Sequence, residues 1–118
     1  MEPKHLLAVQ IYSELVKAAM LETTITWAEL TNKLSIPAHG AIQLTIVNNT
    51  LSDLCAFDIK NGRTPLSAVL VRPEKVPGKG YYTMLINNGI EVPEEEKRKV
   101  DLWKKQLEKV YQEWSIQS

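Results

Sequence analysis

The side chains able to do chemistry are few and scattered. Cys55 is the single cysteine, and His5 and His39 are the two histidines. A reactive thiolate needs an accessible, electropositive setting or a histidine beside it. Cys55 is instead followed by Ala56-Phe57-Asp58 and shares an apolar helical face with Leu51 and Leu54. It is expected to be a buried, inert thiol. One cysteine excludes an internal disulfide and a multi-cysteine metal site, and two histidines leave little for zinc. Asp53 and Asp58 are five positions apart, so they do not share a helix face cleanly and make an improbable acid/base or metal pair. Glu94-Glu95-Glu96 reads as a helix start, with negative charge at the positive end of the helix dipole. There is no Gly-rich phosphate loop. The expectation is a chain with no catalytic residue, no metal and no cofactor.

Basic residues give the stronger signal. Residues 60–80 hold Lys60, Arg63, Arg72, Lys75 and Lys79 against Glu74 alone, inside a chain with 14 bases and 14 acids. Local positive charge of this kind suits phosphate contact. Lys60, Arg63, Arg72, Lys75 and Lys79 are therefore expected to hold the backbone of double-stranded DNA, with His39, Gln43 and Thr45 offering hydrogen bonds to base edges. Two features weigh against sequence-specific reading. No Lys or Arg lies between Ala41 and Ile59, and Asp53 and Asp58 would repel phosphate. Zero net charge also excludes a protein that coats nucleic acid by bulk electrostatics.

The elements that must position these residues follow from periodicity and punctuation. A length of 118 residues, 44% hydrophobic and 24% charged, suits one globular domain. Leu7, Ile11, Leu15 and Ala19 predict a helix over about 4–21. Thr24-Ile25-Thr26 suits an extended connection, and Thr26-Trp27-Ala28-Glu29 matches a capping box that opens a second helix ending at Ile36-Pro37. Residues 41–60 predict a third helical stretch, open to division at Asn48-Asn49-Thr50 and stopped by Asn61-Gly62. Leu66–Val71 reads as a strand buried on both faces and Tyr81–Ile86 as its partner, across a long basic hairpin loop. Residues 94–115 predict a last helix, with Pro93 in its first turn and a seam of Val100, Trp103, Leu107, Val110 and Trp114 at 3-4 spacing.

Three helices followed by a β-hairpin is the order of a winged helix-turn-helix. The stretch from Thr24 to Pro37, TITWAELTNKLSIP, resembles the corresponding segment of alkylguanine-DNA alkyltransferase-like winged-helix domains. That resemblance implies a DNA-recognition helix starting near Ala41. It implies no alkyl transfer, because the family's Pro-Cys-His-Arg motif and its recognition-helix arginine are both missing. Cys55 through Gly80, with Gly62-Arg63-Thr64-Pro65-Leu66 and Pro77-Gly78-Lys79-Gly80-Tyr81, is similar to a pattern in small uncharacterised bacterial winged-helix proteins. That likeness implies a fold and a bacterial or phage origin, and no activity.

The expected architecture is thus α+β: a winged helix-turn-helix over residues 1–92 and an amphipathic helix over 93–118, packed on it or on a partner. The expected function is a non-enzymatic DNA-binding module of a bacterial or phage regulatory or defence system. The alternative is a protein-interaction module, an adaptor or inhibitor, that uses the same scaffold and its aromatic C-terminal helix. Val100, Trp103, Leu107, Val110 and Trp114 would then face a homodimer mate or a larger protein, since aromatic residues concentrate interface energy. The N-terminus has no signal-peptide pattern and no apolar run is long enough to span a bilayer, so a cytoplasmic protein without membrane contact is expected.

Overall fold

A computed structural model describes residues 3–36 and 41–115. Its elements run α1 (Pro3–Met20), β1 (Ile25–Thr26), α2 (Trp27–Lys33), α3 (Ala41–Lys60), a 3-10 turn (Leu66–Val69), β2 (Leu70–Val71), α4 (Lys79–Asn87) and α5 (Glu96–Trp114). The expected winged helix is not present. Its wing was to pair residues 66–71 with 81–86. Instead Leu70 and Val71 lie parallel to Ile25 and Thr26, and residues 81–86 are helical, inside α4. The described residues form five helices around a two-strand parallel sheet.

Local chemistry explains where each helix starts and stops. Thr26 and Glu29 make the full capping box of α2: the Glu29 N–H donates to Thr26 Oγ1 at 3.2 Å, and the Thr26 N–H donates to Glu29 Oε1 at 3.0 Å. Four helices end in the same doubled turn, in which a residue with positive φ lets two amides reach back to the last carbonyls. Gly62 (φ 73°) closes α3, with the Arg63 N–H on the Asp58 carbonyl at 2.8 Å, and Gly89 (φ 80°) closes α4, with the Ile90 N–H on the Leu85 carbonyl at 2.9 Å. Glu22 (φ 52°) and Ser35 (φ 58°) do the same after α1 and α2. The α2 stop is therefore made at Ser35; Pro37 lies outside the described residues.

Helix α3 is continuous across Asn48-Asn49-Thr50. Thr50 does not cap a second helix; its hydroxyl donates to the Ile46 carbonyl one turn back, at 2.8 Å. Pro93 stands before α5 rather than in its first turn, since the N-cap is Glu95. The apolar run from Leu66 to Val71 is buried along its whole length, so its place in the core matches the pattern although its shape does not. It threads the centre of the molecule, with α1, α3 and α5 packed around it. Trp103 of α5 is 6% exposed and its indole N–H donates to the Ala68 carbonyl at 2.8 Å. Near the end of α5, Glu113 accepts from the Thr64 amide at 2.9 Å and from its hydroxyl at 2.7 Å.

Candidate functional site

Helix α1 is apolar on two sides. Ile11, Leu15, Ala18 and Ala19 face the core, whereas Leu6, Val9 and Met20 point outward. A helix apolar nearly all round is ordinarily a buried one. Beside the outward side lies an open groove of about 750 Å³. Val9, Tyr12, Val16 and Met20 form its α1 wall, Leu54 and Phe57 its α3 wall, and Trp114 closes the α5 end. Val9 is 58% exposed and Phe57 50%. Tyr12 and Trp114 meet edge to face, with ring centroids 6.0 Å apart. The buried Trp114 Nε1 has no hydrogen-bond partner among the described residues.

A polar network backs this groove. Asp58, 1% exposed, accepts the Leu66 N–H at 3.1 Å and the Arg63 Nε–H at 3.4 Å, and Tyr12 Oη stands 3.5 Å from its Oδ1. Burial pushes the Asp58 carboxyl above its ordinary range, and the bonds from Leu66, Arg63 and Tyr12 offset this only in part. Burial, and then the charge of Asp58, raise the Tyr12 phenol likewise. The Arg63 guanidinium lies 5.3 Å from the centre of the Phe57 ring, so it is held by a carboxylate and an aromatic face together. This network ties α1, α3 and the 3-10 turn, and it meets the groove at Tyr12 and Phe57.

The bases expected to hold phosphate do not converge. Lys60 is exposed at the end of α3, and Arg63 is paired with Asp58. Arg72 pairs with Glu74 at 3.2 Å. Lys75 sits in a turn with φ 68°, where its N–H donates to the Arg72 carbonyl at 2.8 Å. Lys79 begins α4 rather than a wing strand. Arg72 and Lys79 share a second cleft with Glu74, Glu94, Glu96 and Lys99, where the charges are mixed. Gln43 and Thr45 are exposed on the first half of α3, and the Thr45 hydroxyl is bonded to the Ala41 carbonyl at 2.9 Å. His39 lies outside the described residues. The seam residues Val100, Trp103, Leu107, Val110 and Trp114 all pack against this chain's own core, with Trp103 and Val110 fully inside it.

Cys55 is buried near Ser67, Tyr81 and Asn88, whose Nδ2 is 4.0 Å from its sulfur. Burial first, and then the neighbouring Asp58 charge, raise its thiol to about 11. Thiol-specific labelling of the native protein at neutral pH is therefore expected to be slow and to follow unfolding, with the rate rising together with denaturant. Fast stoichiometric labelling in buffer would contradict this burial.

Among the described residues no three His, Cys, Asp or Glu side chains gather where they could hold a metal ion. No described helix is long and apolar enough to cross a membrane. No family model, curated protein or solved structure matches the chain. The groove is hidden in the sequence because Leu6, Val16 and Met20 are apolar like the core stripe of Leu7, Ile11, Leu15 and Ala19 beside them. Its one legible signal is the shortage of charge in residues 6–21 and 41–57.

Proposed function

We propose that the chain is a non-enzymatic, cytoplasmic protein-interaction module that receives an apolar helix of a protein partner. The observation that carries this reading is the carbon-lined groove between α1, α3 and the end of α5, on a face where Val9 and Phe57 stand open to water. Large exposed apolar patches with a polar rim mark protein or membrane contact sites and ligand grooves. A trough walled by two helices suits a third helix laid along it, anchored at i, i+3 or i+4 and i+7. Duplex DNA has less support as the partner, because Arg63 and Arg72 already pair with carboxylates and no Lys or Arg lies between Ala41 and Ile59.

The test is a titration with a synthetic amphipathic helix of about five turns, with leucine at those anchor spacings. At low protein concentration a saturable change in tryptophan emission is expected from Trp114. The change is expected to vanish in Val9→Glu while the far-ultraviolet circular dichroism stays native. No saturable change in the wild type, or one that Val9→Glu leaves intact, overturns the reading.

A further inference from the structure

We propose that Asp58 is a positioning residue for the groove, one buried carboxylate that holds the aromatic side chains of two walls, Tyr12 on α1 directly and Phe57 on α3 through Arg63. The proposal rests on the interaction reading above and adds its regulation: proton uptake by Asp58 loosens the groove. The two carboxylate oxygens have separate roles. Oδ2 accepts the Leu66 N–H at 3.1 Å and belongs to the fold. Oδ1 faces both walls, with Tyr12 Oη at 3.5 Å and Arg63 Nε at 3.4 Å. Tyr12 lines the groove, and its ring lies 6.0 Å, centroid to centroid, from that of Trp114, which closes the α5 end. Phe57 lines the α3 wall and is half-exposed, too open for packing alone to fix its ring. The Arg63 guanidinium stands 5.3 Å from the centre of that ring without itself lining the groove, so it backs Phe57 and leaves the space free.

Charge sets the strength of these ties. A carboxylate accepts only, and its charge strengthens each bond it receives. Both contacts to Oδ1 are long, so they are the part of the network that loss of the charge releases first, while Oδ2 keeps the Leu66 N–H. Around Asp58 stand Tyr12 from α1, Cys55 one turn back on α3, and Arg63 just after α3. The 3-10 turn presents the Leu66 N–H, and on α5 Glu113 is taken up by Thr64. Burial raises the Tyr12 phenol and the Cys55 thiol, so neither changes its proton in acid. Burial raises Asp58 as well, which moves its proton uptake above that of an exposed aspartate. Freed of Oδ1, the Tyr12 and Phe57 rings regain rotamers that an incoming helix must freeze again, and its affinity falls by that cost.

Two measurements on the full chain test this. Phe57 is the single phenylalanine, so its ring signals in a nuclear magnetic resonance spectrum identify themselves. In the free protein they are expected to shift with one midpoint as pH falls, and to lose this response in Asp58→Asn and in Arg63→Gln. A direct field effect of the Asp58 charge would survive Arg63→Gln. No response in the wild type, or one that Arg63→Gln leaves intact, overturns the proposal. The second measurement is the affinity for the synthetic helix. Tyr12→Phe and Arg63→Gln are each expected to weaken it about 3–10-fold, and Asp58→Asn about 10–100-fold. Tyr12→Phe added to Asp58→Asn is expected to cost nothing further. The advantage of wild type over Asp58→Asn is expected to vanish in acid; Glu14, Asp53 and Glu113 titrate in both proteins and cancel. Tyr12→Phe and Arg63→Gln keep the bond from Leu66 to Asp58, so they decide the matter even where Asp58→Asn fails to fold. Val9-sensitive binding that both variants leave at wild-type strength defeats the positioning role alone. A wild type that binds no helix defeats the interaction reading, and the Phe57 signals then decide the positioning role by themselves.

Discussion

Trp103→Ala is expected to destabilise the protein by about 3–5 kcal/mol, the range for truncating a buried aromatic side chain. Trp103 is nearly solvent-free, packed against the central apolar run, and its indole N–H is bonded to the Ala68 carbonyl at 2.8 Å. Truncation opens a cavity between α5 and the 3-10 turn and leaves a buried carbonyl without its donor. Since domains of this size are stable by about 5–15 kcal/mol, the loss takes a large share of the total. Urea unfolding followed by circular dichroism measures it. Trp103→Phe separates the two contributions. It keeps most of the apolar volume and loses the donor, so about 1–3 kcal/mol is expected, the cost of an unsatisfied buried group. A cost below about 1 kcal/mol for Trp103→Ala would mean that α5 is not held on the core as described.

The second large effect is at Asp58. Asp58→Ala is expected to cost about 2–4 kcal/mol, because the Leu66 N–H loses its acceptor and Arg63 its counter-charge inside the fold. Arg63 is about a third exposed, which keeps the figure below that for a fully buried pair. Asp58→Asn retains an oxygen for the Leu66 N–H and is expected to cost much less. Acid titration adds a signed test. The folded-state carboxyl titrates above its unfolded value, so across that interval the folded chain binds a proton the unfolded chain has lost. The Asp58 contribution to stability is therefore fullest below the unfolded value and declines as pH rises through the folded one. The advantage of wild type over Asp58→Asn is expected to shrink as pH rises through this interval. Glu14 behaves oppositely. Its partial burial would raise it, but the bonds from Lys17 and Lys33 prevail and hold it low, so its contribution is lost as pH falls. Comparing wild type with Asp58→Asn cancels that background. An advantage that grows with pH would show that the Arg63 pair outweighs the burial of Asp58.

Elements specified by neighbours in sequence were legible, and those specified by distant packing were not. The α2 capping box, the Asn61-Gly62 stop and the 3-4 seam of α5 all report local geometry, and each occurs where the pattern put it. Tyr81-Tyr82-Thr83-Met84-Leu85-Ile86 failed for a definable reason. Six aromatic, branched and apolar residues favour a strand by propensity, yet a run so short does not distinguish a strand from a buried helix. Here Tyr81 and Leu85, one helical turn apart, both reach the core, and Gly78 and Gly89 bound the segment as a helix. The burial of Leu66–Val71 follows from its unbroken apolar run, but whether it pairs with residue 25 or residue 81 depends on parts of the chain far from it. The same limit applied to the site. The bases at 63 and 72 are visible as charges, while their partners Asp58 and Glu74 become visible only in three dimensions.

The central position of Leu66–Val71 has a consequence for how the chain is made. Synthesis runs from the N-terminus at about 5–20 residues per second, so α1, α2 and α3 emerge before the segment they enclose. After Val71 has been added, Trp103, which seals that segment from the other side, follows about 2–6 s later at the same rate. During that interval α1 and α3 hold the run while its α5 side is still open.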